Sequence, residues 1–503
     1  MKFFRSKNRK YSRLMKRLFL IVFTVIFALC VYVIFDPSIV DIVTMPDNWC
    51  TNYQLGDKIS CGEESLITDI QAKDAFDNFQ ERKWQKAVGY FQQARNNNRN
   101  NPEILIYLNN AKLMQQKRKS YTIAVALPIR VAEVFLRGVA QVQEEFNNLN
   151  PTLGLKVLIV NDENNPKGVA KLVDSLLFKD DVVAVIGHYT SEVTTAALPV
   201  YQKKPVVVIS PGSTAMRDII LGGLNYPRNF FFRTVPTVKN VTSILFDYLK
   251  LSQLANGEKV AVFYNPNSTY SKSAFEEFRQ ELGSNKIIGI DISSRGFIAK
   301  KSLMDVKREG AKALILIPDG HVDSDSFTNA LALINLNRDE LPIGGYSVLY
   351  DTDILTRIDI DRVKKLVLVI SWHRLTSPNK GVIIQAQNLW GTGDISDKTA
   401  MSYDATLVLT EALKKLYINN VNDDVKTQRL EIQKQLTNLE VTAGASGTIS
   451  FDSYGDRKED IYEIVKAVSV SDRCSKYSAM FVPINYDVNK LPCNQVKYPN
   501  KSN

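Results

Sequence analysis

Thr122-Ile-Ala-Val-Ala-Leu127, Leu155-Lys-Val-Leu-Ile-Val160 and the run Val-Val-Ala-Val-Ile at 182–186 are the stretches whose reading decides the fold. Each is short, nearly continuously apolar and rich in β-branched residues, as a strand buried on both faces must be. Between the first two, Val131, Val134, Phe135, Val139, Val142 and Phe146 recur three and four apart, on one face of a helix. Val169, Leu172, Val173, Leu176 and Leu177 repeat the pattern before the third. Strands alternating with amphipathic helices predict an α/β fold with a parallel sheet covered on both sides.

The rhythm runs outward through a helix at 192–201 and a strand at 205–209, as far as Arg233-Thr-Val-Pro236. It then restarts. Helices at 238–251, 270–283, 300–309 and 323–335 alternate with strands at 259–264, 286–292, 313–317 and 341–345, followed by a strand at 364–371. Helices at 400–417 and 424–438 and a β-like segment at 447–468 complete the body, and the tail after Val470 shows no strong period. Two runs with a proline-marked junction predict two lobes. Upstream, residues 68–119 read as helical, with Trp84, Ala87, Phe91 and Ala94 patterned like the second helix of a tetratricopeptide repeat. One repeat cannot bury its own face. The expectation is therefore a small helical segment packed on its neighbour, with a peptide-binding array as the alternative.

The chain has 503 residues, 63 Lys and Arg against 53 Asp and Glu, and a net charge of +10. Eight of those cations lie between Lys2 and Arg17, with no acid among them, which leaves the remainder at +2. A near-neutral body gives no reason to bind nucleic acid. Residues 18–35 carry no charge over 18 positions, about 27 Å as a helix, enough for a membrane core. The run is longer than a signal peptide's apolar region and ends in bulky residues. It is read as an uncleaved transmembrane anchor, with a cleaved signal as the alternative. The cations before it place the N-terminus in the cytoplasm and the body outside. Of five cysteines, Cys30 falls in this run. Cys50 with Cys61, and Cys474 with Cys493, are local pairs in loop-like sequence, as disulfides in an oxidising compartment would be; four free thiols are the other reading. Residues 36–67 read as a disulfide-bearing linker and 471–503 as a C-terminal tail.

Ligands bind parallel sheets at the carboxyl ends of the strands, where this sequence concentrates small polar residues. Strand 182–186 ends in Gly187-His-Tyr-Thr-Ser191, and strand 205–209 in Ser210-Pro-Gly-Ser-Thr214. Hydroxyls and free N–H groups at helix starts suit a carboxylate, although Ser and Thr there also serve as plain caps.

Val185-Ile-Gly-His-Tyr-Thr-Ser191, Ala196-Ala-Leu-Pro199, Ile209-Ser-Pro-Gly-Ser-Thr214 and Phe231-Phe-Arg-Thr-Val-Pro236 together resemble the branched-chain amino-acid (Leu/Ile/Val) binding protein family. These are the type I periplasmic substrate-binding proteins of ABC transporters, whose fold also forms receptor ligand-binding regions. The resemblance covers roughly residues 121–468. It implies two Rossmann-like lobes joined by a hinge, with residues 121–236 and 367–447 in the first and 237–366 and 448–470 in the second. It also implies a ligand between them. Ser191 matches the serine that holds the ligand carboxylate, Gly212 and Thr214, beside Ser210, complete that grip, Tyr189 lines the pocket, and Tyr270 closes over it from the second lobe.

Two departures stand out. The family supplies an acid for the ligand ammonium after the strand at 341–345, where this chain has Tyr346. Asp319 is the nearest substitute in sequence, or, with Gly320, only a turn; Tyr346 could instead offer a ring face to a cation. The first loop, Leu127-Pro-Ile-Arg-Val131, is short for the family. No nucleophile–base pair, phosphate loop, cofactor motif or metal-ligand spacing is visible, and His188, His321 and His373 are isolated. The expectation is a non-enzymatic, membrane-anchored solute-binding protein that captures a small polar ligand such as an amino acid for an ABC permease or a signalling partner. The competing reading is a structural, assembly or receptor protein whose degenerate cleft binds another protein.

Overall fold

The computed structural model describes residues 58–67, 72–178, 181–222, 229–320, 324–421, 424–472, 474–475 and 477–493. The basic tail, the apolar run at 18–35, Cys50 and His321 lie outside them. Among the described residues no helix is long and apolar enough to cross a membrane.

The first sheet holds β1 (Ile59–Ser60), β2 (Ser120–Leu127), β3 (Gly154–Asn161), β4 (Val182–Gly187), β5 (Val207–Ser210) and β6 (Phe231–Arg233), in the order β1-β3-β2-β4-β5-β6. β2 to β6 run parallel, and β1 closes one edge antiparallel to β3. Helices α1 (Lys73–Gln80), α2 (Trp84–Asn97) and α3 (Pro102–Gln115) precede β2. Helices α4 (Ile129–Leu149), α5 (Val169–Leu176), α6 (Ser191–Lys203) and α7 (Arg217–Leu221) connect the strands.

The second run supplies α8 (Val238–Tyr248), β7 (Lys259–Tyr264), α9 (Thr269–Leu282), β8 (Ile287–Asp291), α10 (Ala299–Arg308), β9 (Ala311–Ile317), α11 (Ser326–Asn337), β10 (Ile343–Tyr346), α12 (Thr352–Arg357) and β11 (Leu366–Ile370). Its strands alternate between two cores. Val260, Val262, Ile315 and Val369 face α8 and α9, while Ala261, Phe263, Leu316 and Leu368 face the other side with Val306 and Ile334. Both faces are covered, so the central residues of β7, β9 and β11 are apolar on both sides, and polar residues such as Lys259 and Lys312 stand at the strand starts.

The chain then returns to the first lobe with α13 (Lys380–Trp390), α14 (Asp397–Ile418) and α15 (Val425–Asn438), followed by the hairpin β12 (Glu440–Gly444) and β13 (Gly447–Ser450). The α14 helix lies against α4 so closely that a Cβ on Gly138 would stand 2.2 Å from the Thr399 carbonyl oxygen. Only glycine permits that approach. Finally β14 (Glu463–Ser469) and β15 (Ala479–Pro483) extend the second sheet antiparallel, in the order β15-β14-β11-β10-β9-β7-β8.

Several details differ from the sequence reading. The segment at 68–119 is not a tetratricopeptide-like unit ahead of the body. Its α3 is buried along most of its length and is built into the first lobe. There the Asn110 amide donates to the Cys61 carbonyl (3.0 Å) and the Val157 carbonyl (2.8 Å), and accepts from the Val157 N–H (3.1 Å) and Gln143 (3.0 Å). The linker contributes β1 to the same sheet. The crossing placed at 366/367 runs after β11, which pairs wholly within the second sheet. The boundary at 447/448 falls inside the β12–β13 hairpin. The tail holds a strand, β15, and Cys474 is bonded to Cys493 beneath it. Cys61 is also disulfide-bonded.

The crossings between lobes are fastened by buried charge. Arg233 at the end of β6 is 0 % exposed and grips Asp456 with two bonds, at 2.8 and 2.9 Å, while its third nitrogen donates to the Ala215 carbonyl (2.6 Å). Arg457 bonds the buried Asp404 at 3.2 Å. Trp372 donates to the Ala445 carbonyl (2.9 Å), tying the second crossing to the β12–β13 hairpin.

Candidate functional site

The carboxyl ends of both sheets face one another, and a cavity of about 60 Å³ lies between them. Its walls come from both lobes. The first lobe gives Tyr189, Ser191 and Glu192 from the start of α6, Gly212 and Thr214 after β5, and Phe135 from α4. The second gives Tyr270, Gly320 and Ser347, and the start of α14 brings Asp397 and Lys398.

Ser191 opens α6, whose cap residue Thr190 makes no capping bond of its own. First-turn N–H groups lack intrahelical partners and favour an anion. The Ser191 hydroxyl oxygen accepts from the Ala215 N–H (3.3 Å) and the Ser213 hydroxyl (3.1 Å). That takes both lone pairs and leaves its own O–H as the remaining donor. Ser210 holds the second corner rigid: its hydroxyl donates to the His188 carbonyl (2.7 Å) and accepts from the Gly212 and Ser213 N–H groups at 3.2 and 2.8 Å. Ser210 is thus a support behind the wall, and the Gly212 N–H is turned toward it. Gly187 bends the chain out of β4 with φ of +142°, where any Cβ would meet the Ala126 carbonyl.

Tyr189 crosses from lobe to lobe. Its hydroxyl donates to the Gly320 carbonyl at 3.2 Å, and its ring packs on Phe135 with centroids 5.4 Å apart. Burial, with several acids nearby, holds the phenol well above its ordinary range. Cβ atoms on Gly212 or Gly320 would each come within 2.8 Å of this ring, so both glycines make room for it. A second tie runs from the Thr269 N–H of α9 to the Glu192 carboxylate. A third runs from the Met216 N–H to Ser273 (3.2 Å).

Tyr270 lines the cavity, and its hydroxyl is buried without a hydrogen-bond partner. Tyr346 does not line it. That ring lies edge-on to Tyr270 and is 3 % exposed, and its hydroxyl is bonded to Thr242 at 2.6 Å. Asp319 is also elsewhere. Its carboxylate accepts from Asn265 (2.9 Å) and Ser324 and faces a neighbouring hollow of about 260 Å³. Sequence reasoning missed Asp397, Glu192 and Phe135. Asp397 follows the capping Ser396 at a helix start, which in sequence reads as ordinary first-turn acid. Phe135 reads as one more core position of α4. Only the topology carries them to the cleft. The two histidines among the described residues are held in internal hydrogen bonds: His188 bonds Asp162 (2.7 Å) and Tyr201 (3.0 Å), and His373 bonds the Phe481 carbonyl (3.1 Å).

Residues 130–469 match the family model described as the receptor family ligand binding region. An amino acid binding protein of Pseudomonas aeruginosa is 33 % identical over 84 residues, 16 % of this chain and 22 % of that protein, so the alignment spans about a fifth of the relative's length. Among solved structures, a leucine binding protein of Thermotoga maritima superposes with a TM-score of 0.56 at 19 % identity, covering 72 % of this chain and 97 % of that one. A solute binding protein of an ABC transporter from Rhodopseudomonas palustris, in complex with 3,4-dihydroxybenzoic acid, gives 0.56 at 15 % identity over 72 % and 95 %. At these identities the likeness is one of fold.

Proposed function

Since the chain belongs to the receptor family of ligand binding regions, we propose that it is an extracytoplasmic solute-binding protein. It captures a small polar ligand, an amino acid in the first instance, in the cleft between its lobes. The observation that carries this reading is the cavity itself, walled by Ser191, Gly212 and Thr214 on one lobe and Tyr270 on the other. The α6 start offers a ligand carboxylate a hydroxyl and free N–H groups. The ties at Tyr189–Gly320 and Glu192–Thr269 join the lobes, and a hinge that parts them admits the ligand. The eight cations before the apolar run at 18–35 support an anchor with the body outside the cytoplasm. The ligand then passes to an ABC permease or is reported to a signalling partner.

A thermal-shift screen of the full chain in detergent against amino acids, short peptides and organic anions tests the reading, because binding to the folded state raises the melting temperature. Amino acids should raise it, and Ser191→Ala with Thr214→Ala should remove the shift. A shift that survives both changes moves the site elsewhere, and no shift with any solute refutes the proposal. The mass of the mature protein tests the anchor: loss of residues 1 to about 35 would overturn it.

A further inference from the structure

The geometry points to β8 as an edge at which two copies of this chain pair antiparallel about Gly289, continuing the second sheet of one copy into the other. This goes beyond the solute-binding reading and does not depend on what the cleft holds.

β8 ends the second sheet and pairs with β7 alone. The Ile292 N–H donates to the Tyr264 carbonyl (2.9 Å), and Tyr264 stands opposite Asp291. In a parallel ladder the bonds to one neighbour fall on alternate residues. Ile288, Ile290 and Ile292 therefore turn their backbone groups to β7. Ile287, Gly289 and Asp291 turn theirs away from the sheet, and among the described residues no hydrogen bond reaches them. The edge of the first sheet at β6 is different, because the Arg233 N–H there is taken by the Gly455 carbonyl (3.1 Å).

Exposed edges are guarded by lysine, proline or a bulge. Ile287-Ile-Gly-Ile-Asp291 has no lysine or proline, and its register with β7 is unbroken. Its one charge, Asp291, is turned to the Ser293 N–H (2.8 Å) and hydroxyl (2.6 Å). Both flanks are apolar and half-buried. Ile288 and Ile290 edge one core, and on the other face the stacked rings of Tyr264 and Phe275, 4.0 Å apart, cover Gly289.

This edge is complementary to itself. With a two-fold axis at Gly289, that residue meets its own counterpart, and Ile287 meets Asp291 of the partner subunit. Outward groups then face outward groups in every pair, for about six hydrogen bonds. Ile288 lies across from Ile290 of the partner subunit, and Ile290 from the partner's Ile288. Such apolar cross-strand pairs stabilise a sheet, and no like charges stand opposite. The chain thus carries its own best-matched strand.

The test uses the full chain in detergent and reads hydrogen exchange residue by residue, with mass by light scattering. Between about 1 and 100 μM protein, exchange at Ile287, Gly289 and Asp291 should slow at least about tenfold as a dimer forms. Ile288 and Ile290 should stay protected throughout by β7. Ile290→Lys, a charge of the kind that guards natural edges, should abolish the dimer and the added protection while leaving the melting temperature within a few degrees. The wild-type exchange pattern decides even where that variant does not fold. A monomer at every concentration overturns the inference. So does a dimer in which the three outward amides exchange at the monomer rate, as when the anchors alone associate in a micelle. Protection that appears only with another protein present, or that persists in a folded Ile290→Lys, also overturns it.

Discussion

At the residue scale, buried polar groups are where this protein is most sensitive. Asn110 satisfies four hydrogen-bonding demands from α3, joining the Cys61 carbonyl, both backbone groups of Val157, and Gln143. Asn110→Leu keeps the branched shape of the side chain and strands those partners. A loss of about 3 kcal/mol is expected in urea unfolding, and a change under 1 kcal/mol would remove Asn110 from this role. His373 gives a pH signature. Burial pushes its ring from 6.5 to about 3, so the unfolded chain takes up a proton well before the folded one does. Its contribution is complete above pH 6.5 and is lost as pH falls toward 3, by about 1.4 kcal/mol per unit. Melts between pH 7 and 4 should show His373→Gln losing stability less steeply with acid than the wild type; parallel slopes would contradict the assignment. Neither role can be read from sequence, because Asn110 lies in a helical run and His373 follows a strand, and what each touches is far along the chain.

Among elements, legibility followed periodicity. Most strands from β2 to β11 announce themselves by a short apolar run, since both faces of each sheet are covered; β6, three residues long and ending in Arg233, does not. Where burial is one-sided or partial the signal fades. β15 is an edge strand between polar turns and was not anticipated. Its anchorage is covalent, through Cys474–Cys493, and antiparallel, through β14. Replacing both cysteines by serine should cost about 2–4 kcal/mol and expose the amides of Ala479–Val482 to rapid hydrogen exchange. Unchanged protection would show that pairing with β14 is sufficient. The helical segment was legible as helices but not in its placement, because α3 is buried nearly all round, its polar Glu103 and Asn110 included, and only the fold shows that β3 and α4 cover it.

At the scale of the whole molecule, two sheets point their carboxyl ends at a shared cleft. Tyr189, Ser191, Gly212 and Thr214 of the strand-end motifs line one cavity, and Tyr270 lines it from the other lobe. Tyr346 and Asp319 did not arrive, and Asp397 did, because its helix enters from the second crossing, roughly two hundred residues beyond Ser191 in sequence. The basic charge that marks the chain as a whole belongs to its first residues and not to this cleft. The central claim is that these groups hold a small ligand together. The most direct measurement is a calorimetric titration of the tightest-binding amino acid into the wild type and into Ser191→Ala/Thr214→Ala. The account predicts a single site in the wild type and at least about 30-fold weaker binding in the double variant. Equal affinity in the two proteins would contradict it.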